Sequence, residues 1–149
     1  MKVLIVGGVA GGMSVAGRLR RLSEETEIIV LDKGDYVSFS NCALPYYLSG
    51  TVGAKENLIL QTPQSLKKSY KLDVRVKEEV VFVDAKAKTV EIKRQDGSTY
   101  KESYDKLVLS PGARALALKI EGLESVPHSF LRTVNDVAGI KEKLDQDRL

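Results

Sequence analysis

The sequence predicts an α/β fold: a parallel sheet flanked by helices, with an antiparallel β-meander inserted into it. Three observations predict it. A strand-like aliphatic run, a glycine-rich loop, an apolar-faced helix and a second aliphatic run follow one another between Lys2 and Asp32. Short alternating segments separated by turn residues occupy residues 79–104. A buried-strand pattern then returns at Lys106 to Leu109.

Each element has its own warrant. Lys2 to Val6 is continuously β-branched and aliphatic, as in a strand buried on both faces. After Gly7 to Gly12, residues from about Met13 to Leu22 read as a helix with Val15, Ala16 and Leu19 on one face. Ile28 to Leu31 is a second buried strand ending at Asp32. Strand, glycine turn, helix and strand form a right-handed βαβ unit with parallel strands. Ser40 or Asn41 is placed to cap a short helix through Pro45 and Tyr47 that Gly50 stops. Thr62-Pro63 opens another helix to about Tyr70, and Val74 and Val76 mark a third strand. Asp96-Gly97 between alternating segments is a hairpin signal inside the meander. A last helix is expected from Asn135 to Leu144.

Composition excludes several classes. At 149 residues, with 43% hydrophobic and 29% charged, the chain can build one domain with a core. A formal charge of +3, without RNA-binding aromatic signatures or zinc-finger spacing, argues against a nucleic-acid partner and a metal site. One cysteine cannot form an internal disulfide and points to a reducing compartment. The apolar run Val3 to Val6 is too short for a membrane span and lacks a signal-peptide layout. The expectation is a cytoplasmic protein without membrane partners.

The glycine loop carries the first chemistry. In the G-x-G-x-x-G fingerprint the three positions hold Gly7, Val9 and Gly12. Gly7 permits the tight turn and Gly12 the close packing of helix on strand, while the helix N-terminus offers free N–H groups to a pyrophosphate. Val9 departs from the pattern; Gly8 and Gly11 beside it keep the backbone accessible. Asp32 follows Gly12 by 20 residues, where a carboxylate holds a ribose hydroxyl. An acid there favours a free 2′-hydroxyl over a 2′-phosphate. On α-helical spacing Arg18 and Arg21 share a face, read either as a solvated surface or as a phosphate clamp.

Cys42 carries the second. Free cysteines are often buried and inert. Against that, Cys42 falls at an expected helix N-terminus, where the dipole favours thiolate, and has Ser38, Ser40 and Asn41 as polar neighbours. The residues alone leave both readings open. Neither His128, the one histidine, nor Tyr46 and Tyr47 has a visible catalytic partner.

Together these segments resemble the pyridine nucleotide-disulfide oxidoreductases, in particular their single-cysteine branch: coenzyme A-disulfide reductases, NADH oxidases and peroxidases, and rhodanese-fused CoA-persulfide or polysulfide reductases. The resemblance rests on Val6-Gly7-Gly8-Val9-Ala10-Gly11-Gly12, on Ser38 to Tyr46 as the motif S-F-x-x-C-x-x-P-Y, and on Tyr104 to Ala113 as a second flavin-contacting motif. It implies a Rossmann-like FAD-binding domain of the glutathione-reductase type, incomplete in this chain. By motif position, Cys42 is the redox nucleophile. Gly7, Gly11, Gly12, Asp32, Lys33, Ser110, Gly112 and Arg132 lie near FAD, and Arg18, Arg21, Ser38 and Asn41 line a coenzyme A site. FAD, NADH or NADPH, and coenzyme A are the implied cofactors and substrate, with a small thiol or disulfide as partner.

The departure is length. Members of the family run to several hundred residues and form homodimers. The expectation is that residues 1–149 are the N-terminal part of the FAD domain, with the nicotinamide-binding and dimerisation domains absent and no NADH-dependent turnover by the chain alone. Two alternatives accompany this reading: an NADH oxidase or peroxidase cycling through a cysteine sulfenic acid, and a non-catalytic nucleotide-binding module.

Overall fold

The computed structural model of the chain describes residues 1–146. They fall into two compact units, one of Met1–Ser38 with Gln61–Gly112, the other of Phe39–Leu60 with the chain from Ala113.

The first unit is built on a four-stranded sheet. Its strands are β1 (Lys2–Val6), β2 (Glu27–Asp32), β3 (Asp73–Val76) and β7 (Lys106–Leu109), in the order β3-β2-β1-β7, all parallel. Alternation along the strands separates two cores. Val3, Ile5, Ile28 and Val30 pack with Ala16 of helix α1 (Ala10–Leu22) and Leu66 of helix α3 (Pro63–Tyr70). Leu4, Ile29 and Leu31 pack on the other face with Val90 and Ile92. Those two belong to the antiparallel meander of β4 (Glu78–Asp84), β5 (Thr89–Arg94) and β6 (Thr99–Ser103). Helices on one face and meander on the other explain why the central strands β1 and β2 read as unbroken apolar runs. Burying each such side chain contributes roughly 1.5–3 kcal/mol.

The expected meander is present. Gly97 turns the second hairpin at φ +86°, and Ser98 N–H donates to Asp96 Oδ1 at 2.8 Å. One residue, Lys77, separates the two sheets between β3 and β4, and it adopts φ +60°. Thr62 caps α3 as expected: its Oγ1 accepts from Ser65 N–H at 3.1 Å while Ser65 Oγ accepts from Thr62 N–H at 2.9 Å. Pro63 occupies the first turn.

Two boundaries correct the sequence reading. Helix α1 starts at Ala10, not near Met13, because Val9 O already accepts Met13 N–H at 3.2 Å. The glycines supply the first helical turn, which their low helix propensity hides. In the second unit, helix α4 runs Val134–Gln146, longer than expected at both ends. Thr133 and Asp136 form a reciprocal cap there: Asp136 N–H donates to Thr133 Oγ1 at 3.1 Å and Thr133 N–H to Asp136 Oδ2 at 2.8 Å. Val134 and Val137 bury this helix against its unit, together with Leu44 and Leu58. No helix among the described residues is long and apolar enough to cross a membrane.

Candidate functional site

The glycine loop is shaped by contacts that admit no side chain. Gly7 stands at φ +101°, and a Cβ there would lie 2.0 Å from Ser110 O. A Cβ on Gly12 would lie 1.8 Å from Gly7 O, and one on Gly8 would meet Val37 Cγ1 at 2.5 Å. At Gly11 the space is looser, with Ser110 Oγ 3.2 Å away. Gly7 N–H donates to Leu31 O at 2.8 Å, and Ser110 N–H to Val6 O at 2.8 Å, so the loop hangs from the ends of β1, β2 and β7. The first amides of α1 have no carbonyl within the helix to bond, and they carry its positive end. Ala10 and Gly11, in that first turn, are exposed. The cradle therefore fits an anionic phosphate linkage.

Asp32 closes one side of the loop. Its Oδ2 accepts from Gly8 N–H at 2.6 Å and its Oδ1 from Gly34 N–H at 2.8 Å. Each carboxylate oxygen keeps a second lone pair for a hydroxyl donor. Ser38 N–H donates to Gly8 O at 2.9 Å, and Ser38 itself adopts φ +49°. Gly8 thus joins Asp32, Val37 and Ser38, a role the sequence reading did not assign to it. Only its place beside the fingerprint could have signalled this.

The other candidates of this unit separate. Lys33 extends into solvent and pairs with Glu79 at 3.6 Å. Gly112 adopts φ +70° three residues after the end of β7. Arg18 and Arg21 are exposed on α1. Arg20 between them is structural, donating to the carbonyls of Tyr70, Ser23, Glu24 and Lys71 at 2.5–3.1 Å. Arg18 and Arg21 are therefore surface cations, and Arg20 clamps the ends of two helices.

Arg75 centres an ionic network that the sequence reading missed. Its guanidinium donates to Asp73 Oδ2 at 2.6 Å, Glu102 Oε2 at 2.7 Å and Tyr100 Oη at 3.0 Å. Tyr100 Oη in turn donates to Glu78. Burial disfavours the Arg75 charge, but the bonds to Asp73, Glu102 and Tyr100 outweigh it and raise the group further. Burial also pushes Glu102 upward, yet the bonds from Lys2 and Arg75 prevail and hold it below the usual range. Burial and then the bond to Glu78 raise the Tyr100 phenol. Distant strands are joined by these side chains, which no local spacing reveals.

Cys42 lies in the second unit. It sits in a 3₁₀ turn, Asn41–Ala43, that leads into helix α2 (Leu44–Leu48). Ala43 N–H donates to Ser40 O at 3.1 Å, and Ser40 N–H to Leu58 O at 2.8 Å. An isolated bridge from Phe39 to Ile59 anchors the segment's start, and buried Leu44 anchors its helix. The expected side-chain cap by Ser40 or Asn41 is absent: Ser40 makes no cap bond to the 3₁₀ turn, Asn41 lies within that turn, and Ala43 stands at the start of α2. Gly50, at φ +84°, stops the segment as expected. Cys42 is exposed, not buried. Asn41 is exposed beside it. Tyr46 is 58% exposed, and Tyr47 lies beneath the Lys141 ammonium, 5.6 Å from its ring centre. Arg132 closes an excursion of the chain, its Nε donating to Ala113 O at 2.5 Å.

A parallel sheet, a glycine turn into a helix and an acid at the end of the second strand define a Rossmann-like dinucleotide-binding fold. The model of the family "pyridine nucleotide-disulphide oxidoreductase" matches residues 1–149, and the chain belongs to that family. It is 36% identical over 146 residues to a coenzyme A disulfide reductase of Staphylococcus haemolyticus, covering 97% of this chain and 32% of the relative. The crystal structure of reduced Bacillus anthracis CoADR-RHD superposes with a TM-score of 0.93 at 47% identity, over 99% of this chain and 27% of that one. An NAD-dependent persulfide reductase from A. fulgidus gives 0.91 at 34% identity, over 98% of this chain and 28% of that one. The chain thus spans between about a quarter and a third of the length of such relatives.

Proposed function

We propose that this chain is the FAD-binding portion of an NAD(P)H-dependent flavoprotein that reduces coenzyme A disulfide or a CoA persulfide or polysulfide through Cys42. The observation that carries the reading is the cradle. Gly7 and Gly12 leave no room for a Cβ, Gly11 is exposed, and Asp32 stands beside Gly8 with lone pairs to spare. Those residues fit a dinucleotide with a free ribose hydroxyl. Gly11 and Gly12 offer the α1 amides to its pyrophosphate, and Ser110 borders the same loop; Gly112, two residues on, is assigned to the flavin as well. When bound, the flavin would supply the two electrons that return an oxidised Cys42 to its thiol.

The rest of the chemistry belongs to the chain. The Cys42 thiolate attacks one sulfur of a disulfide, the S–S bond breaks, and the second sulfur leaves as thiolate. With a persulfide or polysulfide the leaving group is a shorter sulfur anion. Exposure of Cys42 in a turn on polar residues supports such an attack. Exposed Arg18 and Arg21 are suited to the phosphates of coenzyme A, Ser38 and Asn41 to its polar groups, and Lys33 and Arg132 to the flavin nucleotide.

Two measurements test this. FAD added to the purified chain should give a bound flavin spectrum, and Gly12→Val should abolish it. In the longer polypeptide, Cys42→Ser should eliminate turnover of CoA disulfide and polysulfide. Retained disulfide turnover in that variant would sink the assignment, and loss confined to peroxide or oxygen turnover would indicate an oxidase.

A further inference from the structure

Lys77 is the single residue between β3 of the parallel sheet and β4 of the meander, and it is neither glycine nor asparagine, yet it stands at φ +60°. Its amide donates to Gly34 O at 3.0 Å just where this φ turns the chain from β3 into β4. Gly34 in turn donates its own amide to Asp32 Oδ1 at 2.8 Å, and a Cβ on Gly34 would lie 3.1 Å from that same oxygen. Lys77 Nζ also pairs with Asp35 Oδ1 at 3.2 Å, so backbone and side chain of one residue hold the loop after β2.

The strain at Lys77 is imposed from both sides. Arg75, two residues before, donates to Tyr100 Oη at 3.0 Å, and Glu78, one residue after, accepts from the same hydroxyl. Arg94 adds an ion pair to Glu78 at 3.4 Å and lies 4.2 Å over the Tyr100 ring. A left-handed non-glycine residue persists where its surroundings over-determine it. Here they do so at the point that feeds, through Gly34, into the acid beside the glycine loop.

We infer that Lys77 is a positioning residue for Asp32: its left-handed backbone sets the Gly34 loop, and that loop sets the carboxylate for a nucleotide ribose. This rests on the nucleotide-binding reading above. It gives the meander a role in the site, as a buttress for a carboxylate on the other sheet.

The test uses the isotope-labelled 149-residue chain. It compares Lys77→Val, which disfavours positive φ, with Lys77→Gly, which adopts it freely. Two readouts apply: hydrogen exchange of the Gly34 amide, and the ratio of affinities for ADP and 2′-deoxy-ADP. Lys77→Val should lower Gly34 protection and the preference for ADP by about tenfold each, the left-handed penalty expressed as an equilibrium factor. Lys77→Gly should keep both. If Lys77→Val does not fold, Tyr100→Phe, which removes the hydroxyl shared by Arg75 and Glu78, should lower both by about threefold, a modest net loss because Arg75 and Glu78 keep their ion pairs. A lower melting temperature with an unchanged ADP preference in the folded variant overturns the inference. A wild-type chain that protects Gly34 but shows no preference for ADP sinks the ribose reading of Asp32 instead, and the role of Lys77 with it.

Discussion

The guanidinium of Arg75 on β3 meets the Glu102 carboxylate on β6 at 2.7 Å, and Lys2 on β1 reaches the other oxygen of that carboxylate at 2.5 Å. One side chain of the meander is thereby tied to two strands of the parallel sheet. The Glu102 side chain is only 17% exposed, so this pairing is screened far less than a surface ion pair.

Acid should loosen that tie. Folding holds Glu102 below the ordinary glutamate range. Its contribution is complete above that ordinary range and is lost as pH falls through the depressed folded value. Glu102→Gln should destabilise the chain by about 1–3 kcal/mol at neutral pH, leaving Lys2 and Arg75 short of an anion. Its denaturation midpoint should then fall less steeply than the wild type's below about pH 4.5. Parallel acid limbs in the two proteins would contradict the assignment.

Glycines in and near α1 should behave oppositely. Gly12→Ala forces a Cβ to 1.8 Å from a backbone oxygen that cannot move aside cheaply. A loss above about 3 kcal/mol is expected, among the largest for a single substitution. Gly17→Ala meets only the far end of Arg21 at 4.0 Å and should stabilise the helix by about 0.5–1 kcal/mol. Gly11→Ala lies between: a small stability change but a marked loss of FAD binding, since its neighbour is the Ser110 side chain at 3.2 Å. Urea titration with flavin titration separates the three.

Cys42→Ser should leave the fold intact, with stability within about 0.5 kcal/mol of the wild type, because the thiol is exposed. The wild-type chain should consume one equivalent of a thiol-alkylating reagent without denaturant. Labelling only after unfolding would show the thiol to be inaccessible.

The α3 cap offers a local check. Thr62→Ala removes one half of the reciprocal pair with Ser65 and should cost about 1 kcal/mol. Urea denaturation of the chain should resolve that difference, and an unchanged midpoint would show the cap to be dispensable.

Much of this protein was legible in its sequence because the signals are local. Two-sided burial wrote β1 and β2 as apolar runs, Thr62-Pro63 wrote the start of α3, and Asp96-Gly97 wrote a hairpin. The run at β7 read as a buried strand, but the strand lies at the sheet edge with Leu109 61% exposed. The spacing of Gly7, Gly12 and Asp32 marked the tight glycine loop and the acid beside it, and the residues around Cys42 marked its segment. Other features depended on tertiary contacts. The exposure of Cys42, the separation of Arg20 from Arg18 and Arg21, and the left-handed turns at Ser38 and Lys77 were decided there. So was the Arg75 network, whose members come from residues as far apart as Lys2 and Glu102. A periodic pattern or a short motif records what a residue does for its own helix, strand or turn. Which carboxylate meets which amide is set by strand order and register, through pairings that close over long stretches of chain.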